Sequence, residues 1–316
     1  MQKPKKLSPG AVIGLVAPAS PCEKPYEVER AKAYIEELGY QVVVAPHVDL
    51  QRGFVAASEE ERAADINAMF ADPDIDAVCC ARGGYGSAQV IRHLDIEMIR
   101  RNPKIFTGFS DITSLHIALN TLADMVTFHG PGLARFNPEE LTDYTKEQFF
   151  KALTTTAPLG DIPMNDPKKW VHRIHGGVAE GELVGGNLTL LCASLGTPFQ
   201  PDTKGKVLFV EDIDTEPWMM DNNMSHLRNA GLLDGVAAVV VGECKGCEPY
   251  DYKPGFLSDV CVEEVFEYYL RPLGVPALYG LPLGHTPDMA TLPLGVKVRL
   301  DGDEKKLTVL ESGVTE

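Results

Sequence analysis

Along the first half of the chain, short aliphatic and β-branched runs alternate with stretches in which apolar residues recur every three or four positions. Residues 12–17 form a buried-strand run that stops at Pro18, and residues 28–38 have helical spacing and stop at Gly39. Val42, Val43 and Val44 make the next strand. Residues 59–71 read as a helix with acids in its first turn and Ile66, Met69 and Phe70 on one side. Strands at 75–81, 105–107 and 125–128, with helices at 88–94 and 114–122, continue the series. Alternation of this kind predicts a mostly parallel, doubly wound sheet with helices on both faces.

The pattern changes after Phe136. Asn137-Pro138, Pro158, Pro163 and Asp166-Pro167 punctuate a stretch holding one helix near 145–153. We therefore expect an N-terminal α/β domain over residues 1–160, a linker over 161–175, and a second, smaller α/β domain over 176–316. The glycines of 176–187 suit a tightly bent strand or a close backbone approach. A helix at 188–195, strands at 206–210 and 236–241, helices at 224–230 and 260–270, and a strand at 277–281 follow. Residues 296–310 read as a hairpin across Asp301-Gly302-Asp303.

Composition narrows the class. The 316 residues carry 29 basic and 45 acidic side chains, a net charge of −16, which argues against a nucleic-acid partner. Lysines near the N-terminus are not followed by an apolar segment long enough for a leader or a membrane span, so we expect no membrane association and a cytoplasmic location. Seven cysteines, an odd number, fit reduced thiols better than a disulfide framework. Cys244 and Cys247 have the spacing of half a zinc site, but no second pair accompanies them.

The most informative segment is 104–113, Lys-Ile-Phe-Thr-Gly-Phe-Ser-Asp-Ile-Thr. A strand enters Gly108, Ser110 follows, and a helical pattern begins. Such a turn exposes a serine Oγ and offers free helix N–H groups to an oxyanion. The same serine could be a helix cap, and Ile112 stands where hydrolase elbows usually carry glycine. A glycine-rich loop, Ala81-Arg82-Gly83-Gly84-Tyr85-Gly86-Ser87, follows another strand. It lacks the small residue and the distal acid of a dinucleotide fingerprint, and no Gly-Lys-Ser/Thr phosphate loop occurs. Its backbone suits a close approach to a reacting atom, so one of its N–H groups and that of Asp111 form a candidate oxyanion hole. His285, His129 and His116 are the candidate bases. Residues 207–214 run an apolar strand into Glu211, Asp212 and Asp214, which places candidate orienting acids at a strand end.

Taken in order, Gly14–Ser20, Ala81–Ser87, Gly108–Thr113, His129-Gly130-Pro131, Gly185-Gly186-Asn187-Leu188, Phe209–Asp212 and Gly284-His285 resemble the LD-carboxypeptidase family of serine peptidases, which includes muramoyltetrapeptide carboxypeptidases and microcin immunity peptidases. The resemblance spans essentially the whole chain. It implies Ser110 as nucleophile, Glu211 as acid and His285 as base, in a cleft between the two domains, with the backbone N–H groups of Gly84 and Asp111 holding the oxyanion. Arg82, Tyr85 and His129 are candidate substrate contacts, Arg82 as a partner for a substrate carboxylate. The resemblance also implies a homodimer, a small peptide substrate cleaved at an L,D bond with release of D-alanine from murein tetrapeptide, no metal and no other cofactor. The alternative within the same family is an immunity-type peptidase acting on an aminoacyl-nucleotide antibiotic. Such a relative would carry a longer loop with a stacking aromatic, a place that only Trp170 fills here.

Overall fold

The computed structural model describes residues 1–24, 26–166, 168–250 and 255–316. It divides into two compact units. The first comprises Met1–Ala157 with Ala290–Gly295 and Ser312–Glu316, and the second comprises Pro158–Met289 with Val296–Glu311.

In the first unit, strands β1 (Val12–Val16), β2 (Gln41–Val44), β3 (Ala77–Cys80), β4 (Ile105–Gly108) and β5 (Thr127–His129) alternate with helices α1 (Glu27–Glu37), α2 (Glu59–Ala71), α3 (Ser87–Val90), α4 (Ile96–Arg101) and α5 (Thr113–Ala123). Helix α6 (Asp143–Thr154) follows. Local chemistry explains the boundaries. Ser58 and Glu61 form a reciprocal capping box that starts α2, which satisfies two otherwise orphaned N–H groups. Gly39, at φ 91°, ends α1 in the left-handed region that glycine occupies without strain. The strands are continuous apolar runs because both faces of a parallel sheet are covered. Ile13, Leu15, Val78, Cys79, Ile105 and Phe106 are all buried.

In the second unit, β6 (Gly160–Asp161), β7 (His172–His175), β8 (Val178–Asn187), β9 (Val207–Glu211), β10 (Ala238–Gly242) and β11 (Ala277–Leu281) are joined by α7 (Leu188–Ala193), α8 (Pro217–Asn229) and α9 (Val262–Leu270). The chain then contributes β12 (Leu292–Leu294) to the first sheet before β13 (Lys297–Asp301) and β14 (Lys306–Val309) complete the second.

The first sheet has the order β12-β5-β4-β3-β1-β2. Its strands are parallel except β12, which runs antiparallel to β5. The order reverses between β1 and β3, a switch point at whose carboxyl edge ligands bind in open α/β sheets. The second sheet has the order β6-β14-β13-β8-β9-β10-β11-β7, with a parallel centre from β8 to β11 and antiparallel flanks.

The expected α/β class and the hairpin at 296–310 are present. The stretch 161–175 differs from a plain linker, because β7 lies within it and pairs with β11; Pro167 lies outside the described residues. Residues 176–316 are not one continuous domain either, since 290–295 and 312–316 belong to the first unit. No helix among the described residues is long and apolar enough to cross a membrane.

Candidate active site

Ser110 sits in the turn that joins β4 to the short 3-10 turn Ser110–Ile112 and then to α5. Its φ is 62°, a left-handed conformation costing a non-glycine residue roughly 1–2 kcal/mol. Strain of this kind persists only where the surroundings hold it, and it concentrates at functional sites. Two glycines make room for it. A Cβ on Gly108 would come within 2.8 Å of the Ile112 side chain, so Ile112 itself fills the inside of the turn. A Cβ on Gly83 would come within 2.8 Å of Ser110 Cβ, 2.9 Å of the Phe109 carbonyl and 3.2 Å of the Asp111 N–H nitrogen.

The glycine loop and the serine turn leave the carboxyl ends of the adjacent parallel strands β3 and β4. The Gly83 carbonyl accepts the Ser20 N–H at 3.3 Å, and Ser20 Oγ accepts the Tyr85 N–H at 3.1 Å while donating to the Phe54 carbonyl at 2.8 Å. Gly84 adopts φ 105°, and an added Cβ would collide with the Ser20 side chain. This loop therefore lies against the turn at Gly83. The Asp111 carboxylate turns inward instead. It is buried and accepts the Ser87 N–H at 2.7 Å.

His116 and His129 lie beneath the turn. His116 is fully buried, and its Nε2 meets the Gly108 carbonyl at 2.8 Å. Burial pushes its pKa down to about 4, so the ring stays neutral and donates Nε2–H to that carbonyl. His129 is also fully buried, pairs with Leu292 of β12, and packs edge-on to Phe109. Its ring is closed off from solvent in this structure. Arg82 is not a free guanidinium: it pairs with Glu23 at 3.1 Å and donates to the Pro21 carbonyl at 3.3 Å. Tyr85 is exposed and stands edge-on to the still more exposed Phe54, with ring centroids 5.1 Å apart.

The second unit assembles an acid and a histidine. Glu211, the last residue of β9, is fully buried. Its Oε2 meets His285 Nδ1 at 2.6 Å, and its Oε1 accepts from Asn187 Nδ2 at 3.2 Å. Asn187, the last residue of β8, stands in register with Glu211 and bridges it to Asp212 Oδ1 at 3.1 Å. Asp212 in turn accepts from the Thr189 N–H and hydroxyl at 3.1 and 2.8 Å. His285 follows β11 by four residues, and its approach depends on Gly284. A Cβ there would come within 2.7 Å of Glu211 Oε2 and 3.1 Å of the Glu243 carbonyl. With Nδ1–H donated to Glu211, Nε2 is the basic nitrogen of the ring.

Cys244 and Cys247 lie near this pair. A hydrogen bond to Cys247, together with burial, holds the Cys244 thiol well above its ordinary range. The cluster of potential ligands among the described residues lies elsewhere, at Glu59, Glu60 and His93.

Comparison with known proteins places these motifs in a family. The LD-carboxypeptidase N-terminal domain matches residues 13–130 and the C-terminal domain matches residues 180–300. A Bacillus subtilis protein named "Probable murein peptide carboxypeptidase" is 39% identical over 322 residues, which cover 99% of this chain and 96% of that protein. The chain belongs to the LD-carboxypeptidase family. Among solved structures of this family, the muramoyltetrapeptide carboxypeptidase of Oxalobacter formigenes superposes with a TM-score of 0.80 at 30% identity, covering 95% of this chain and 98% of that one. The microcin C7 self-immunity protein in complex with aspartyl sulfamoyl adenosine superposes with a TM-score of 0.88 at 26% identity, covering all of both chains. LD-carboxypeptidase relatives of both kinds thus share the two-part α/β architecture seen here.

Sequence reasoning missed Ser20, Arg62 and Asn187. Ser20 ends one motif quoted for the resemblance, and Asn187 lies within another. Arg62 lies in α2 with nothing in its local pattern to mark it as buried.

Proposed function

We propose that this LD-carboxypeptidase-family chain is a serine-type enzyme that cleaves an L,D-peptide bond and releases the terminal D-alanine of murein tetrapeptide. The observation that carries the reading is Ser110 held at φ 62° in a strand-to-helix turn with Gly83 pressed against it. A helix cap needs no such conformation, since capping residues take extended backbone angles. A nucleophile elbow does.

In this reading His285 Nε2 takes the proton of Ser110 Oγ as the hydroxyl attacks the carbonyl carbon of the scissile bond. Glu211 fixes the tautomer and stabilises the imidazolium through its 2.6 Å bond to Nδ1. The N–H groups of Gly84 and Asp111 receive the negative charge on the tetrahedral intermediate. The imidazolium then protonates the departing amine, D-alanine leaves, and water, activated by the same ring, releases the peptide from Ser110. The mechanism requires Ser110 and His285 to meet during turnover, and it uses no cofactor. In this reading the protein acts in the cytoplasmic recycling of cell-wall peptides as a homodimer, an assignment that rests on the family resemblance of the sequence.

A second reading is an immunity-type peptidase. The similarity to the microcin C7 self-immunity protein favours it, as does the exposed Trp170, whose ring rests against His172 at 4.7 Å and leaves a face for stacking. One competition experiment separates the two. Purified protein is offered murein tetrapeptide and aspartyl sulfamoyl adenosine, and the products of each are quantified. The first reading predicts D-alanine release with a higher kcat/KM than nucleoside release. The reverse order would replace it with the second.

A further inference from the structure

Arg62 is an unusual residue for the outer face of a sheet protein. It lies in the first turns of α2, yet it is only 2% exposed. Among the described residues no carboxylate lies within ion-pair distance of it. Its nitrogens donate to main chain and amide instead. Nε donates to the Ala57 carbonyl at 3.0 Å, Nη1 to the carbonyls of Pro18 and, at 2.8 Å, Gly86, and Nη2 to Gln89 Oε1 at 2.7 Å. The guanidinium thus ties together the loop after β1, the segment before α2 and the end of the glycine loop. Burial lowers its pKa and the nearby Asp111 raises it; an arginine remains charged in either case.

The Gly86–Ser87 peptide sits between two buried charges. Its carbonyl accepts from Arg62 at 2.8 Å, and its N–H donates to Asp111 Oδ2 at 2.7 Å. Ser87 Oγ closes the circuit by donating to the Asp111 carbonyl at 2.5 Å. The peptide unit carries the attraction of the cation on one side to the anion on the other, and charged partners strengthen both hydrogen bonds. At its other end the glycine loop is held by Ser20. A loop of bare glycine backbone has little rigidity of its own, so these two clamps set where its N–H groups point.

We propose that Arg62 is a positioning residue for the oxyanion hole, which through the Gly86–Ser87 peptide and Asp111 holds the glycine loop at a fixed distance from the Ser110 turn. The inference rests on the serine reading above and adds to it a residue that meets neither substrate nor reacting atoms. Oxyanion donors act only in the transition state, so their displacement lowers kcat and leaves substrate binding nearly intact. A misplacement near 1 Å is worth about 100-fold in rate.

The test measures kcat and KM for D-alanine release by wild type, Ser110→Ala, Arg62→Gln, Arg62→Lys and Ser87→Ala, with folding checked by circular dichroism. It also measures the affinity of each for a peptidyl boronic acid, a tetrahedral mimic. We expect Arg62→Gln to lose about 100-fold in kcat with KM changed less than about threefold, and boronate affinity to fall in parallel with kcat/KM. Arg62→Lys, which keeps the charge with fewer donors, should fall between. If Arg62→Gln does not fold, Ser87→Ala decides the matter, because it removes only the hydroxyl bond to Asp111. It should lower kcat and boronate affinity together. A folded Arg62→Gln, or in its place Ser87→Ala, with wild-type kcat and boronate affinity overturns the inference while Ser110→Ala stays inactive. Activity retained in Ser110→Ala overturns the serine reading itself.

Discussion

Replacing Gly83 by alanine adds one methyl group where the glycine loop touches the serine turn. The new carbon would lie 2.8 Å from Ser110 Cβ, 2.9 Å from the Phe109 carbonyl oxygen and 3.2 Å from the Asp111 nitrogen. Real Cβ atoms do not approach backbone this closely, and two of the three atoms met are backbone, so no side-chain rotation relieves the clash. The φ of Gly83 is not in the left-handed region, so the cost is steric alone. Overpacking of this size costs roughly 1–3 kcal/mol of stability. Relief comes from moving either the turn or the glycine loop by some tenths of an ångström, and either motion separates the Ser110–Asp111 turn from Gly84, the other proposed oxyanion donor. A loss of about 100-fold in kcat is the expected scale for such a displacement, with KM little changed because the donors act on the transition state. Urea unfolding gives the stability change, and D-alanine release under saturating tetrapeptide gives kcat. An alanine variant with an unchanged unfolding midpoint and kcat within twofold of wild type would refute the claim that this contact sets the site.

Glu211→Gln preserves size in a fully buried position but removes the charge and leaves His285 free to take the wrong tautomer; kcat should fall about 10⁴-fold with the fold retained, checked by steady-state kinetics and circular dichroism. His116, with a pKa near 4 in the folded protein against 6.5 for an exposed ring, is protonated more readily in the unfolded chain. Its contribution to stability is therefore full above about pH 6.5 and is lost as pH falls towards 4, about 3 kcal/mol in all. Urea titrations at pH 7.5 and 4.5 should show His116→Gln with a shallower acid loss than wild type, and equal slopes would contradict the assignment. Because the serine mechanism needs no metal, incubation with EDTA should leave tetrapeptide hydrolysis unchanged; inactivation reversed by zinc would bring Cys244 and Cys247 back as ligands.

The parts of the fold that the sequence announced are those with strong local signals. Continuous apolar runs marked β1, β3, β4, β9 and β10, and the Asp301-Gly302-Asp303 turn marked the hairpin of β13 and β14. The elements it hid are short or depend on distant partners. Strand β12 is three residues around Pro293, and only its antiparallel place against β5 makes it a strand. Strand β7, His-Arg-Ile-His, has one buried residue in four and no apolar run. The site shows the same division. Strand ends and glycines marked Ser110, Glu211 and His285 as candidates and the family resemblance singled them out; the structure joins Glu211 to His285 within the second unit and sets Gly83 against Ser110 and Asp111 in the first. Arg62 was invisible because an arginine in an amphipathic helix reads as solvated. Its burial follows from three carbonyls brought together by tertiary structure. At Arg82 and His129 the sequence shows only positions at strand ends; the Glu23 carboxylate beside one and the complete burial of the other depend on tertiary structure.

The central claim is that the Ser110 hydroxyl is the nucleophile. Its most direct measurement is D-alanine release from murein tetrapeptide by wild type and by Ser110→Ala, which removes one oxygen from a half-buried side chain and leaves the surrounding packing in place. The account predicts release by the wild type, none above background by the variant, and matching circular dichroism spectra. Release by the variant at a rate comparable to wild type would contradict it.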